Sequence, residues 1–153
     1  MYDVAFFFHI IGAVLLIAGI VVAGVAFETA RRRESPGEVA LLLSLTRAGV
    51  VLVAAGSILA GGFGLWLVHL GKWGYGTGWV DASIALYIVA LALGGFGGQR
   101  PKQARLLAAR LAQDAVPATP ELRALLDDRA SLAANYTSLA LMVAIIALMC
   151  FKP

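Results

Sequence analysis

Four long apolar stretches, separated by short polar ones, set the pattern of this chain: Val4 to Phe27, Ala48 to Leu70, Trp79 to Gly98 and Leu132 to Phe151. A helix needs about 20 apolar residues to cross a hydrocarbon core of about 30 Å, and each stretch meets that length. An open strand in lipid would leave its backbone groups unpaired, and none of the runs alternates as a membrane-barrel strand does. The pattern predicts an all-α chain: a polytopic membrane four-helix bundle forming one domain over residues 1–153. The first run lacks a basic leader and exceeds the roughly 7–15 apolar residues of a secretory signal, so it reads as a retained span.

The polar stretches carry helix punctuation. Ser35-Pro36-Gly37-Glu38 has the form of a capping box with proline at the first helical position, which starts the second helix ahead of its lipid span. Thr119-Pro120-Glu121 predicts the start of one long helix that begins amphipathic and becomes the fourth span. Residues 101–131 read as a cytoplasmic amphipathic segment. Within it, Leu106, Leu107 and Leu111 share a face, with Arg105 and Arg110 elsewhere, as in a helix lying at the membrane interface or a solvated linker helix.

Charge orients the bundle. The first loop holds Arg31, Arg32, Arg33 and Arg47, and the third holds Arg100, Lys102, Arg105, Arg110, Arg123 and Arg129; only Lys72 and Lys152 fall on the opposite side. The positive-inside rule then predicts loops one and three in the cytoplasm and both termini outside, as in a bacterial cytoplasmic membrane. Composition agrees, with 61% hydrophobic and 14% charged residues, against roughly 25% charged in soluble domains. The net charge of +3 is confined between spans, so the expected partner is the lipid bilayer and not nucleic acid. The glycine-rich loop from Gly71 to Trp79 suits an aromatic belt, and without a preceding strand it is no nucleotide site.

Two stripes of small residues recur at helical spacing, Gly12, Gly19 and Ala23 in the first span and Gly56, Ala60 and Gly64 in the second. Such stripes let helices approach closely, within a bundle or between copies. His9 lies on the first stripe and should face the interior. An ionisable side chain there is costly, which makes His9 the leading functional candidate. His69, near the outer end of the antiparallel second span, is expected at a comparable depth, giving the geometry of a bis-imidazole haem or a metal site. Met149 and Cys150 arrive near that level as further metal ligands, with Asp3 and Asp81 completing an outer cluster of candidate ligands. Against this stand a neutral His9 hydrogen-bonded to a neighbouring helix, a solvated His69, and Met149 and Cys150 as packing residues. At the inner ends, Glu28, Asn135 and Tyr136 are expected to bond to one another or to Arg47. No arrangement suits hydrolysis: there is no Ser-His-Asp, no Cys-His pair and no His-Glu-x-x-His helix.

Three short motifs carry a resemblance: Phe8-His9-Ile10-Ile11-Gly12-Ala13, Gly62-Phe63-Gly64-Leu65-Trp66 and Trp79-Val80-Asp81-Ala82-Ser83. With them the chain resembles the bacterial integral membrane proteins called domain of unknown function 2269, a likeness that implies four helices and no established activity. A looser likeness links it to copper-resistance D-type bundles and membrane protoporphyrinogen oxidases, which also place a histidine in an apolar helix. Unlike those oxidases, this chain has no lysine within a span. Two functions follow as expectations. In the first, the bundle binds haem b or copper through His9 and His69 for electron transfer or cofactor handling. In the second, it is a non-catalytic helical module acting as a homo-oligomer or as an accessory subunit of a larger membrane complex.

Overall fold

A computed structural model describes residues 1–71, 73 and 76–152. They form six helices: α1 Tyr2–Arg31, α2 Pro36–Leu70, α3 Gly78–Gly97, α4 Gln99–Gln113, α5 Pro120–Leu126 and α6 Arg129–Phe151. α3 runs on into α4 across the single residue Gly98, so four stretches are long and apolar enough to cross a membrane: Tyr2–Arg31, Pro36–Leu70, Gly78–Gln113 and Pro120–Phe151. Their flanks expose large apolar side chains such as Val25, Ile58 and Val143. In water that surface would aggregate; in lipid it is the solvated face.

The helices pair by seams. α1 lies along α2 and α3 along α6, while Leu16, Ala90, Met142 and Ile145 join the two pairs in a small core. α2 has 35 residues and at 1.5 Å per residue is about 52 Å long, well beyond the hydrocarbon thickness. Its first turns therefore project past the bilayer at the arginine-rich end. There Phe27, Ala30, Val39, Leu43, Ala104, Ala108, Leu122 and Leu126 form a second core, and α4 and α5 cap the bundle.

Local punctuation differs from expectation at two points. Ser35 precedes Pro36 as expected, but its side chain makes no capping hydrogen bond, so the start of α2 is marked by the proline and by Glu38 in the first turn. Thr119 does cap a helix, accepting from the Leu122 amide at 3.3 Å, yet that helix ends at Leu126. Asp128 then caps α6 afresh, accepting from the Ser131 amide at 2.8 Å. Two caps nine residues apart give a bend in place of one long helix. α4 also uses its alanine face for the cap core: Ala104 and Ala108 are buried, Leu107 and Leu111 pack against the same core, and Leu106 is left half exposed.

Candidate functional site: polar groups in the helix seams

The α1–α2 seam is built from residues without side-chain bulk. A Cβ placed on Gly12 would lie 2.8 Å from the Leu59 Cβ and 2.9 Å from the Ala60 Cα; on Gly19, 2.6 Å from the Gly49 carbonyl oxygen; on Gly56, 2.7 Å from the Gly12 carbonyl oxygen. Gly49, which the stripe reading overlooked, meets Ala23 across the seam, with 2.8 Å to its Cβ. Gly12 and Gly19, like Gly49 and Gly56, are seven residues apart, so each backbone approaches the other at successive levels of one face.

His9 sits in this seam. Its Nδ1 lies 2.8 Å from the Ala60 carbonyl oxygen. A carbonyl can only accept, so Nδ1 carries a proton in this bond; in the neutral ring the lone pair then lies on Nε2. Residue 64, whose amide belongs to the same helical turn, is glycine, which leaves the ring room: a Cβ there would stand a tight 3.1 Å from Nδ1. The same device recurs twice. Tyr87 Oη donates to the Ser57 carbonyl at 2.7 Å, with Gly61 four residues on. Ser138 Oγ donates to the Ala90 carbonyl at 2.8 Å, with Gly94 four residues on. In each case a methyl on the glycine would crowd the donor atom, at 3.1 Å for His9 Nδ1 and 3.3 Å for Tyr87 Oη and Ser138 Oγ.

A fourth carbonyl is exposed by a different route. Residue 101 is proline, so the Gly97 oxygen has no main-chain donor one turn later. Ser131 Oγ donates to it at 2.5 Å and Asn135 Nδ2 at 3.3 Å, from consecutive turns of α6. Ser131, Asn135 and Ser138 occupy one stripe of an apolar helix, a spacing that was readable in the sequence and went unread. Among the described residues, Ser57 Oγ is the one buried side-chain oxygen or nitrogen lacking a partner.

The remaining candidates are dispersed. His9 is opposite Ala60 and Gly64, and His69 lies five residues farther along α2, about 7 Å on. It also follows the buried Leu67 by two residues, roughly 200° around the helix, and is exposed on a face turned from α1. Met149 and Cys150 are exposed near the end of α6, the helix paired with α3. Asp3 is exposed, and Asp81 accepts from the Gly76 amide at 3.3 Å. No three His, Cys, Asp or Glu side chains among the described residues come together as metal ligands. Glu28 does not join Asn135 or Tyr136; it pairs with Arg31 at 2.9 Å and Arg32 at 3.6 Å, Asn135 turns to Gly97, and Tyr136 and Arg47 are exposed. At the loop joining α2 to α3, Trp73 and Trp79 stack edge to face at 5.6 Å, with the Lys152 ammonium 4.6 Å from the Trp73 ring. Lys72, Gly74 and Tyr75 of the expected aromatic belt lie outside the described residues.

Four apolar transmembrane helices, closed by glycine seams and by side-chain bonds to backbone carbonyls, define a polytopic helical membrane protein. Within that class the chain belongs to the family of predicted integral membrane proteins DUF2269, whose pattern it matches over residues 4–153. No curated protein matches it, and no solved structure does either.

Proposed function

We propose that the chain is a non-catalytic helical module that works by assembly in the membrane, with copies of itself or as an accessory subunit of a larger complex. The observation that carries this reading is how the seam side chains are used: His9, Tyr87, Ser131, Asn135 and Ser138 each bond to a backbone carbonyl of a neighbouring helix. A proton relay or an aqueous path needs polar groups directed at one another or at a lumen, whereas these hold helices together. In this reading the arginine-rich cap faces the cytoplasm of a bacterial cell and both termini face outward, supported by ten basic residues at that end against two at the other. Crosslinking in native membranes tests it: adducts with a second copy or with another subunit are expected, and a monomer alone would sink it.

One feature favours a second reading, a haem b or copper site. The Nδ1 proton of His9 is held by Ala60, which leaves Nε2 as a ready axial ligand. His69 would serve as second ligand only after α2 both shifted and rotated against α1, and Met149 and Cys150 would supply softer donors for copper. The test is the absorption spectrum of purified protein before and after dithionite, with metal analysis and a His9→Ala variant. A Soret band or bound copper lost in the variant supports the site, and a featureless, metal-free protein removes it.

A further inference from the structure

The cap carries a groove that the seams do not use. It lies between α4 and α5 and has a volume of about 590 Å³. α4 supplies one wall through Arg100, Gln103, Leu107 and Arg110, a single helical stripe. The other wall is Glu121, Leu125 and Asp128, spaced by four and three residues. Leu106 and Ala124 extend the apolar middle, and Leu106 is 50% exposed.

The walls carry opposite charge at two levels. At the membrane-proximal level Arg100 Nε stands 3.9 Å from Asp128. At the far level Arg110 and Glu121 are both exposed, and neither side chain has an ion-pair or hydrogen-bond partner among the described residues. We infer that this groove is the contact surface for a second copy of the chain, α4 of each copy lying against α5 of the other. Two copies inserted in the same sense share the membrane normal, so a closed pair is related by a two-fold axis along it. That axis keeps every residue at its own height and exchanges left for right. The basic wall of one copy then meets the acidic wall of the other at both levels: Arg110 meets Glu121 of the partner subunit, and the leucines cover each other between. A groove with both walls of one sign would repel its own copy under the same operation; this one is complementary to itself.

The inference rests on the assembly reading above and adds the surface. Its test uses full-length chains with two different tags, co-expressed and purified in mild detergent. Wild-type copies are expected to co-purify. At the far level Arg110→Glu leaves acidic groups on both walls and Glu121→Arg leaves basic groups on both, so each variant should co-purify with itself at least tenfold less. An Arg110→Glu copy co-expressed with a Glu121→Arg copy regains both pairs and should recover co-purification, which also shows that each variant folds. If wild-type copies associate but the reversals change nothing, this surface is overturned while the assembly reading stands. If wild-type copies do not associate and native crosslinking finds another subunit, the self-contact alone is overturned. A monomer in both experiments overturns both.

Discussion

The carbonyl oxygen of Gly97 is orphaned by Pro101, one helical turn farther on, and is recaptured by Ser131 from the neighbouring helix at 2.5 Å. Proline here does two jobs at the boundary of the third span. It ends regular pairing where α3 passes into α4, and it turns a backbone group that would be satisfied within α3 into a docking point for α6. In water such a carbonyl would be hydrated at small cost; at the edge of a bilayer it must find a protein donor or remain unpaired.

A double-mutant cycle between these positions measures that coupling. Interhelical hydrogen bonds in membranes average about 0.6 kcal/mol and reach about 1.7. Ser131→Ala should fall at the upper end, about 1.5 kcal/mol, because Asn135 at 3.3 Å is a weaker substitute. In a Pro101→Ala background, where residue 101 again offers an amide, the same substitution should cost less than about 0.6 kcal/mol. Equilibrium unfolding in mixed micelles reads both; equal costs in the two backgrounds would separate the serine from the proline.

The glycines divide sharply by what a methyl group would meet. At Gly12 and Gly56 it would press on the opposing backbone, whereas at Gly24 and Gly62 it would meet nothing within 4 Å. Gly12→Ala and Gly56→Ala should each cost about 2 kcal/mol or more, since a rigid backbone cannot give way as a side chain does. Gly24→Ala and Gly62→Ala should be neutral or slightly stabilising, by up to about 1 kcal/mol. Thermal unfolding followed by circular dichroism in one detergent distinguishes the two classes.

The helical class and the four spans were legible because lipid imposes a length and forbids unpaired backbone. Relative axial position was not. The expected pairing of His9 with His69 came from counting inward from span ends, but α2 is offset against α1 by its glycine contacts, and His69 slides past. The bend before α6 was missed because Asp127-Asp128-Arg129 reads as an ordinary solvated helix face; only the bond from the Ser131 amide reveals Asp128 as a cap. The acceptors Ala60, Ser57 and Ala90 are ordinary apolar-helix residues in sequence. Their importance comes from a glycine four residues later together with a donor on another helix, and the second half of that pair exists only in three dimensions.

His9 and Gly64 share one contact, and this gives a non-additive pair. His9→Ala removes the bond to Ala60 and should cost about 0.6–1.7 kcal/mol. Gly64→Ala places a Cβ 3.1 Å from Nδ1 and 3.2 Å from Cε1, so the ring must give by a few tenths of an ångström and its bond to the same oxygen weakens. Once the ring is gone the added methyl has nothing to displace, so the double variant should cost less than the sum of the singles, measured by unfolding in the same micelles.

The hold of the cap on the bundle depends more on Arg123 than on the ion pair beside it. The Arg123 guanidinium donates to the Arg31 carbonyl at 3.0 Å and to the Arg33 carbonyl at 2.5 Å, satisfying the orphan end of α1 from α5. The adjacent pair, Arg31 with Asp127 at 3.0 Å, is largely open to solvent on the aspartate side, so Asp127→Ala should cost under about 1 kcal/mol. Arg123→Ala should cost about 1.5–3 kcal/mol, as loosening of α5 while the spans stay folded. Arg123→Lys should not rescue it, because one ammonium cannot match the planar fork that reaches both carbonyls. Hydrogen exchange at the amides of Leu122 and Leu126 is the direct reading. Exchange should rise at least tenfold in both Arg123 variants and little in Asp127→Ala, and the reverse order would place the latch in the ion pair.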